Sequence, residues 1–275
     1  MSITGNWDRR ISRQKFLVIS GMSAAALVLG AQGVWLPRRG LAQTITDSNP
    51  FKPLGVASGD PLPNSVVLWA RLAPDPLNGG GMPDGEVTVD WEVASDSSFS
   101  DASRVRSGQY TAKPDLAHSV HVDAGVEGTG DTLEPATTYY YRFGVDKKSD
   151  GTYAYTSPTG RTKTAPDPNA SSVSRMKFAF VSCQHWEGGL YPTYGHIAAQ
   201  PDLDLVVHLG DYIYEGAPSS GKVTRKNPDG TYSYHSAVAD PSFGCTTLAD
   251  YRNRHAQYKT DQILQAAHAG RTPGR

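Results

Sequence analysis

The sequence is short of several things. Two cysteines in 275 residues are too few for a disulfide scaffold. Neither charge is in excess: 26 Lys and Arg stand against 27 Asp and Glu, so the formal net charge of −1 lacks the basic surplus on which backbone-led nucleic-acid binding depends. A single apolar run approaches about 20 residues, which excludes a multi-span membrane protein. A collagen period and a disordered composition are also missing. What is there, 38% hydrophobic and 9% aromatic residues, suits one or two globular domains.

The balanced charge hides an asymmetry. Residues 1–42 place Arg9, Arg10, Arg13, Lys15, Arg38 and Arg39, with one acid, Asp8, on either side of the apolar run 16–36. Taking these six from 26 and one from 27 leaves 20 basic and 26 acidic residues, a net charge of −6 for the remainder. A basic flank, an Ala/Gly-rich apolar stretch and the small-residue ending Gly40-Leu41-Ala42 make residues 1–42 a cleaved export signal. The competing reading is an uncleaved anchor, but alanines, glycines, Ser20 and Ser23 leave the run weakly apolar. The segment Ser12-Arg-Gln-Lys-Phe-Leu17 resembles a twin-arginine box with Gln14 at the second arginine, and a true pair, Arg9-Arg10, lies upstream. Twin-arginine export is expected, with the general secretion machinery as the alternative. The expected protein is bacterial and secreted, periplasmic or associated with the cell surface, with no stable membrane anchor after cleavage.

After a segment at 43–50, residues 51–165 read as short strands between turn signals. Strands are predicted over 65–72, 86–93, 118–122 and 137–145, all rich in β-branched and aromatic residues. Val87, Val89, Trp91 and Val93 alternate with polar residues and predict one buried face. Gly79-Gly80-Gly81, Pro83-Asp84-Gly85 and Asp150-Gly151 are turn formers between them. This spacing implies a β-sandwich. The stretch from Leu133 to Arg142 resembles the corner of a fibronectin type III domain, in which a tyrosine hydroxyl bonds back to the chain. Packing, rather than a ligand platform, is the expected role of Trp69, Trp91 and the alternating tyrosines.

Residues 166–174, with two prolines and no periodicity, read as a linker, and residues 175–275 as a second domain. A strand over 175–182, a short helix over 191–200 and a nearly continuous apolar strand over 203–209 form a β-α-β pattern, which predicts parallel, buried strands joined by a right-handed crossover. Cys183 follows the first strand and Asp211 the second. Ligands bind outside the carboxyl ends of strands in open α/β sheets, so both side chains are expected to face one site. Tyr214 joins them if the turn curls back. Carboxylate and phenolate oxygens with a thiolate suit ferric iron, and thiolate is tolerated by zinc as well. Other readings stay open: a Cys183–Cys245 disulfide, a turn-capping role for Asp211, a packed Tyr214, and a core or supporting role for His208.

Several motifs together resemble the PhoD-like alkaline phosphatase family. They are Phe180-Val-Ser-Cys-Gln184, His208-Leu-Gly-Asp-Tyr-Ile-Tyr-Glu215 and Leu248-Ala-Asp-Tyr-Arg-Asn-Arg-His-Ala-Gln-Tyr-Lys-Thr-Asp261, with Phe51-Lys-Pro-Leu-Gly-Val-Ala-Ser-Gly-Asp-Pro61 and Gly160-Arg-Thr-Lys-Thr-Ala-Pro166 in the first domain. The resemblance implies an immunoglobulin- or fibronectin-like β-sandwich followed by a calcineurin-like metallophosphatase α/β domain. It further implies twin-arginine export and hydrolysis of phosphomonoesters and often phosphodiesters, with iron(III) and calcium as cofactors. Cys183, Asp211 and Tyr214 match the family's iron ligands, with Asp211 suited to bridge iron and calcium. Metal-bound water is the expected nucleophile, and no side chain is assigned as catalytic. Arg252 and Arg254 are read as helix-surface or scaffold ion pairs.

The sequence departs from the family pattern after the segment matching residues 261–269, where members continue into a Pro-Trp strand and a Trp-Asp-Asp-His-Glu motif. The second domain is therefore expected to be incomplete, without the later metal ligands. Reverse-translated with GC-rich codons, Gly270-Arg-Thr-Pro-Gly-Arg275 reads Pro-His-Pro-Trp-Ala in a shifted frame, which suggests a frameshifted or truncated product. Two expectations stand side by side: an exported phosphatase, and a noncatalytic remnant acting at most as a β-sandwich binding module.

Overall fold

The computed structural model describes residues 48–170, 173–216, 224–226, 232–234 and 244–270, all within one compact unit spanning Gly40–Arg275. The export signal expected at 1–42 and the 271–275 end of the chain lie outside the described residues. Among the described residues no helix is long and apolar enough to cross a membrane.

Nine strands build the first part: β1 (Val56–Leu62), β2 (Ser65–Arg71), β3 (Val87–Ala94), β4 (Arg104–Ala112), β5 (Ser119–Asp123), β6 (Thr129–Gly130), β7 (Thr138–Lys147), β8 (Tyr153–Thr156) and β9 (Gly160–Lys163). They form two antiparallel sheets, β1-β2-β5 and β6-β4-β3-β7-β8, with β9 also paired to β7. Alternation dictates what each sheet turns inward. Leu68 and Ala70 from β2, Val120 and Val122 from β5, Val89, Trp91 and Val93 from β3, and Tyr141 and Phe143 from β7 share one core. One core between two sheets is a β-sandwich, as the strand spacing predicts.

The corner before β7 closes as the sequence suggests, with the backbone N–H of Glu134 donating to the Tyr139 hydroxyl at 2.9 Å. Trp91 is fully enclosed, while Trp69 is half-buried beneath the Lys259 ammonium, 4.5 Å from its ring centroid. Two strands carry little sequence signal. Gly59, Asp60 and Pro61 interrupt β1, and β4 shows no clean apolar alternation, so their pairing is set by neighbours. On the sheet face away from Trp91, Glu92 is largely covered and pairs with Arg142 at 2.7 Å and Arg104 at 3.2 Å, a charge held by two partners.

The remaining chain adds β10 (Phe178–Val181), α1 (Pro192–Ala198), β11 (Leu205–His208), the hairpin strands β12 (Thr224–Lys226) and β13 (Tyr232–Tyr234), α2 (Leu248–Lys259) and α3 (Gln262–His268). β10 and β11 pair in parallel, from Phe178 opposite Leu205 to Val181 opposite His208. They are not buried on both faces, contrary to the expectation from their apolar sequences. Val181 packs with Trp186, Tyr191, Tyr194, Tyr258 and Leu264, but Phe178 is 55% and Phe180 67% exposed. Leu205 and Val206 of β11 are exposed as well, so neither face of this two-stranded sheet is fully covered by the described chain.

α2 begins with a reciprocal capping box in which Thr247 and Asp250 satisfy each other's backbone N–H groups. Asp261 caps α3 through the Leu264 N–H at 2.8 Å and pairs with buried Arg225 at 2.6 Å. The helices lean on the sandwich. Gln265 donates to the Pro53 carbonyl at 2.8 Å, and the Arg161 N–H to the Ala269 carbonyl at 2.8 Å.

Candidate metal centre

β10 and β11 end in register, so the chain leaves both at one edge of the sheet. The two exits bond to each other: the Cys183 N–H donates to the Gly210 carbonyl at 3.1 Å, and the Gln184 N–H to the Asp211 carbonyl at 3.2 Å. Cys183 (φ 56°) and Asp211 (φ 52°) both take left-handed backbone. That conformation is tolerated by aspartate and costs more for cysteine, and such outliers persist where surroundings over-determine them.

These turns bring three donors together. The Cys183 thiol donates to Asp211 Oδ2 at 3.4 Å, and the Tyr214 hydroxyl donates to the same oxygen at 3.2 Å. Cys183 and Asp211 are exposed, and Tyr214 is part-exposed, so the cluster opens to solvent. The Cys183 thiol, then desolvation and the Asp211 carboxylate, hold the Tyr214 phenol above its usual range. The arrangement concentrates potential negative charge at one point, the chemistry of a cation site. Among the described residues there is no group of three or more His, Cys, Asp and Glu placed to hold a metal; the set here is one of each of two such types plus a phenol.

Neighbouring groups brace the cluster. Buried Gln184 donates to the Tyr212 carbonyl at 2.8 Å, while its own side-chain oxygen accepts from the Tyr194 hydroxyl at 2.6 Å. His208 Nδ1 accepts from the Gly210 N–H at 3.2 Å, a supporting role beside Asp211; partial burial lowers its pKa, and the nearby carboxylate offsets this in part. The disulfide alternative is not realised, because Cys183 and Cys245 are both free thiols.

Arg254 exceeds its expected scaffold role. It does pair with Glu187 at 2.6 Å, and it also donates from Nε to the Tyr214 carbonyl at 2.7 Å. Arg252 forms no ion pair among the described residues and instead donates to the Asp115 carbonyl on the sandwich. Sequence reasoning passes over Glu187 and Tyr258. The only signal available is the four-residue interval between Arg254 and Tyr258, which places both on one helix face.

Comparisons with known proteins point to one family. The profile of the PhoD-like phosphatase N-terminal domain matches residues 39–166, and that of the PhoD-like phosphatase matches residues 178–273. The chain is 49% identical over 265 residues to alkaline phosphatase D of Bacillus subtilis (strain 168), covering 95% of this chain and 40% of that one. A solved structure described as PhoD superposes with a TM-score of 0.68 at 51% identity, over 83% of this chain and 38% of that one. The fold is a β-sandwich followed by an α/β part with a thiol, a carboxylate and a phenol just past its strand ends. The chain belongs to the PhoD-like phosphatase family, and it spans about two fifths of the length of the relatives it matches.

Proposed function

We propose that this chain serves hydrolysis of phosphate esters, as a secreted alkaline phosphatase or phosphodiesterase of the PhoD-like type, with Cys183, Asp211 and Tyr214 holding iron(III) and Asp211 shared with calcium. The observation that carries the reading is the convergence of the Cys183 thiol and the Tyr214 hydroxyl on one oxygen of Asp211. Thiolate, carboxylate and phenolate are an anionic donor set that fits a highly charged ion, and similarity to alkaline phosphatase D supports a metal-dependent phosphatase. Bound metal supplies Lewis acidity at a phosphoryl oxygen.

The chain's own residues prepare the site. Left-handed Cys183 and Asp211 turn their side chains toward one another, and Gln184 ties the two turns together. Asp211 Oδ2 accepts hydrogen bonds from the Cys183 thiol and the Tyr214 hydroxyl, and a bound cation would take the place of both protons. The open edge leaves room for an ester to approach. We assign residues 1–42 to export by the twin-arginine or general secretion machinery and residues 51–165 to the sandwich domain.

The full chain, supplied with ferric iron and calcium, is assayed for bound iron and for release of an aryl alcohol from an aryl phosphate. The expected result is stoichiometric iron that Cys183→Ala reduces, with turnover that Asp211→Asn abolishes. Iron content unchanged by Cys183→Ala overturns the ligand assignment. A folded chain that holds iron and turns over nothing overturns the catalytic reading and leaves the sandwich as a binding module.

A further inference from the structure

We propose that Arg254 and Tyr258 are positioning residues that fix Tyr214 for metal ligation; the inference rests on the ligand reading above. Tyr214 lies on the stretch after β11, where no regular ladder or helix holds the backbone. Its hydroxyl must nevertheless reach Asp211, three residues back along the chain. Something other than secondary structure has to set the direction of that side chain.

α2 does so from the far side. The Tyr214 N–H donates to the Tyr258 hydroxyl at 3.1 Å, and the Tyr214 carbonyl accepts from Arg254 Nε at 2.7 Å. Both polar groups of one peptide residue are therefore held by side chains one helical turn apart. Each clamp is itself immobilised. Tyr258 is fully buried, and Arg254 is 3% exposed, with its guanidinium 5.2 Å from the Tyr258 ring centroid. The other two arms of Arg254 donate to Gln257 Oε1 at 2.5 Å and Glu187 Oε1 at 2.6 Å. Glu187 also stands 3.5 Å from His185, whose ring meets the Tyr214 ring edge-on at 5.2 Å. The carboxylate that anchors Arg254 thus also lies beside the imidazole that packs against the phenol.

The geometry uses the planar fork of arginine in three directions. Lysine, a single point charge, cannot reproduce it. Were Arg254 only a buried ion pair, its loss would lower thermal stability and leave the donation of Tyr214 to a metal untouched. As a positioning residue it changes the metal site out of proportion to stability, and supporting groups around metal ligands typically alter affinity by about 10–100-fold.

The full chain is loaded with ferric iron, and the phenolate-to-iron charge-transfer absorption, iron affinity by chelator competition and thermal midpoint are measured together. Tyr214→Phe is expected to abolish the absorption. Arg254→Lys and Tyr258→Phe are expected to shift or weaken it and to lower iron affinity at least about 10-fold. Val93→Ala, buried in the sandwich, lowers the thermal midpoint while leaving absorption and affinity at wild-type values. Wild-type absorption and affinity in Arg254→Lys and Tyr258→Phe overturn the positioning role and leave the ligand reading standing. Absorption that survives Tyr214→Phe overturns the ligand reading itself. If Arg254→Lys does not fold, Tyr258→Phe, which removes one oxygen, decides the matter alone.

Discussion

In the sandwich, β2, β3, β5 and β7 each turn one row of side chains into a shared interior: Val89, Trp91 and Val93 on β3 meet Tyr141 and Phe143 on β7, and Leu68 and Val122 close the far side. In the α/β part, Val181 of β10 packs with Trp186, Tyr194 and Tyr258, while Phe178, Phe180 and Val206 are exposed. Two sheets can complete each other, and a lone two-stranded sheet cannot. Left-handed non-glycine backbone occurs in both regions, at Asp60, Phe99 and Asp146 in the sandwich among others, but in the α/β part it falls on Cys183 and Asp211, where three exposed or part-exposed donors meet. Stability is concentrated in one region and candidate chemistry in the other.

The largest expected effect lies in the sandwich. Trp91→Ala removes a fully buried indole and is expected to lower stability by about 3–5 kcal/mol, read from urea unfolding. A cost near zero would mean that the sandwich core is not where the fold is held.

A medium effect is expected at the seam. Lys259 is buried against Trp69 and bonds His268 at 2.8 Å, and its burial lowers its pKa from 10.5 to about 7. Over that window the unfolded lysine keeps a proton that the folded one has lost. The unfolded state therefore binds more protons, and stability rises with pH. The penalty is largest below about pH 7 and fades toward alkaline pH, with a limiting slope of about 1.4 kcal/mol per pH unit. Denaturant unfolding between about pH 7 and 9 is expected to show this rise in the wild type and a flatter profile in Lys259→Met. Equal slopes would place the lysine in water and loosen the seam.

The smallest effect is expected on the uncovered sheet face. Phe180→Ser is expected to change stability by no more than about 0.5 kcal/mol, because the ring is already 67% exposed. A loss as large as that of Trp91→Ala would show this face to be covered in solution and erase the contrast between the regions.

Much of the sandwich was legible because period-two alternation and turn residues act locally. β2, β3, β5 and β7 all stand out in the sequence, and so does the corner closed by Tyr139. β1 and β4 were not, since their residues become strands through pairing with β2 and β3 rather than through their own pattern. Burial of β10 and β11 misled for a related reason: an apolar run states what a strand tolerates, and only neighbouring layers decide whether it is covered. At the site, Cys183, Asp211 and Tyr214 were legible from their positions after strand ends. Arg254, Glu187 and Tyr258 were not, because their roles are hydrogen bonds spanning 40 or more residues of chain.

By itself the sequence determined the alternating strands, the turn-rich spacing, the β-α-β order and the identity of three potential metal-ligating side chains placed just past strand ends. Tertiary structure alone decided that those side chains meet at one oxygen of Asp211, that α2 grips Tyr214 from behind, and that the parallel pair stays partly uncovered. Residue type and spacing carry local geometry, which is short-ranged. Convergence and cover depend on which distant elements pack together, and that is settled only when the whole chain minimises its exposed apolar surface and unsatisfied polar groups.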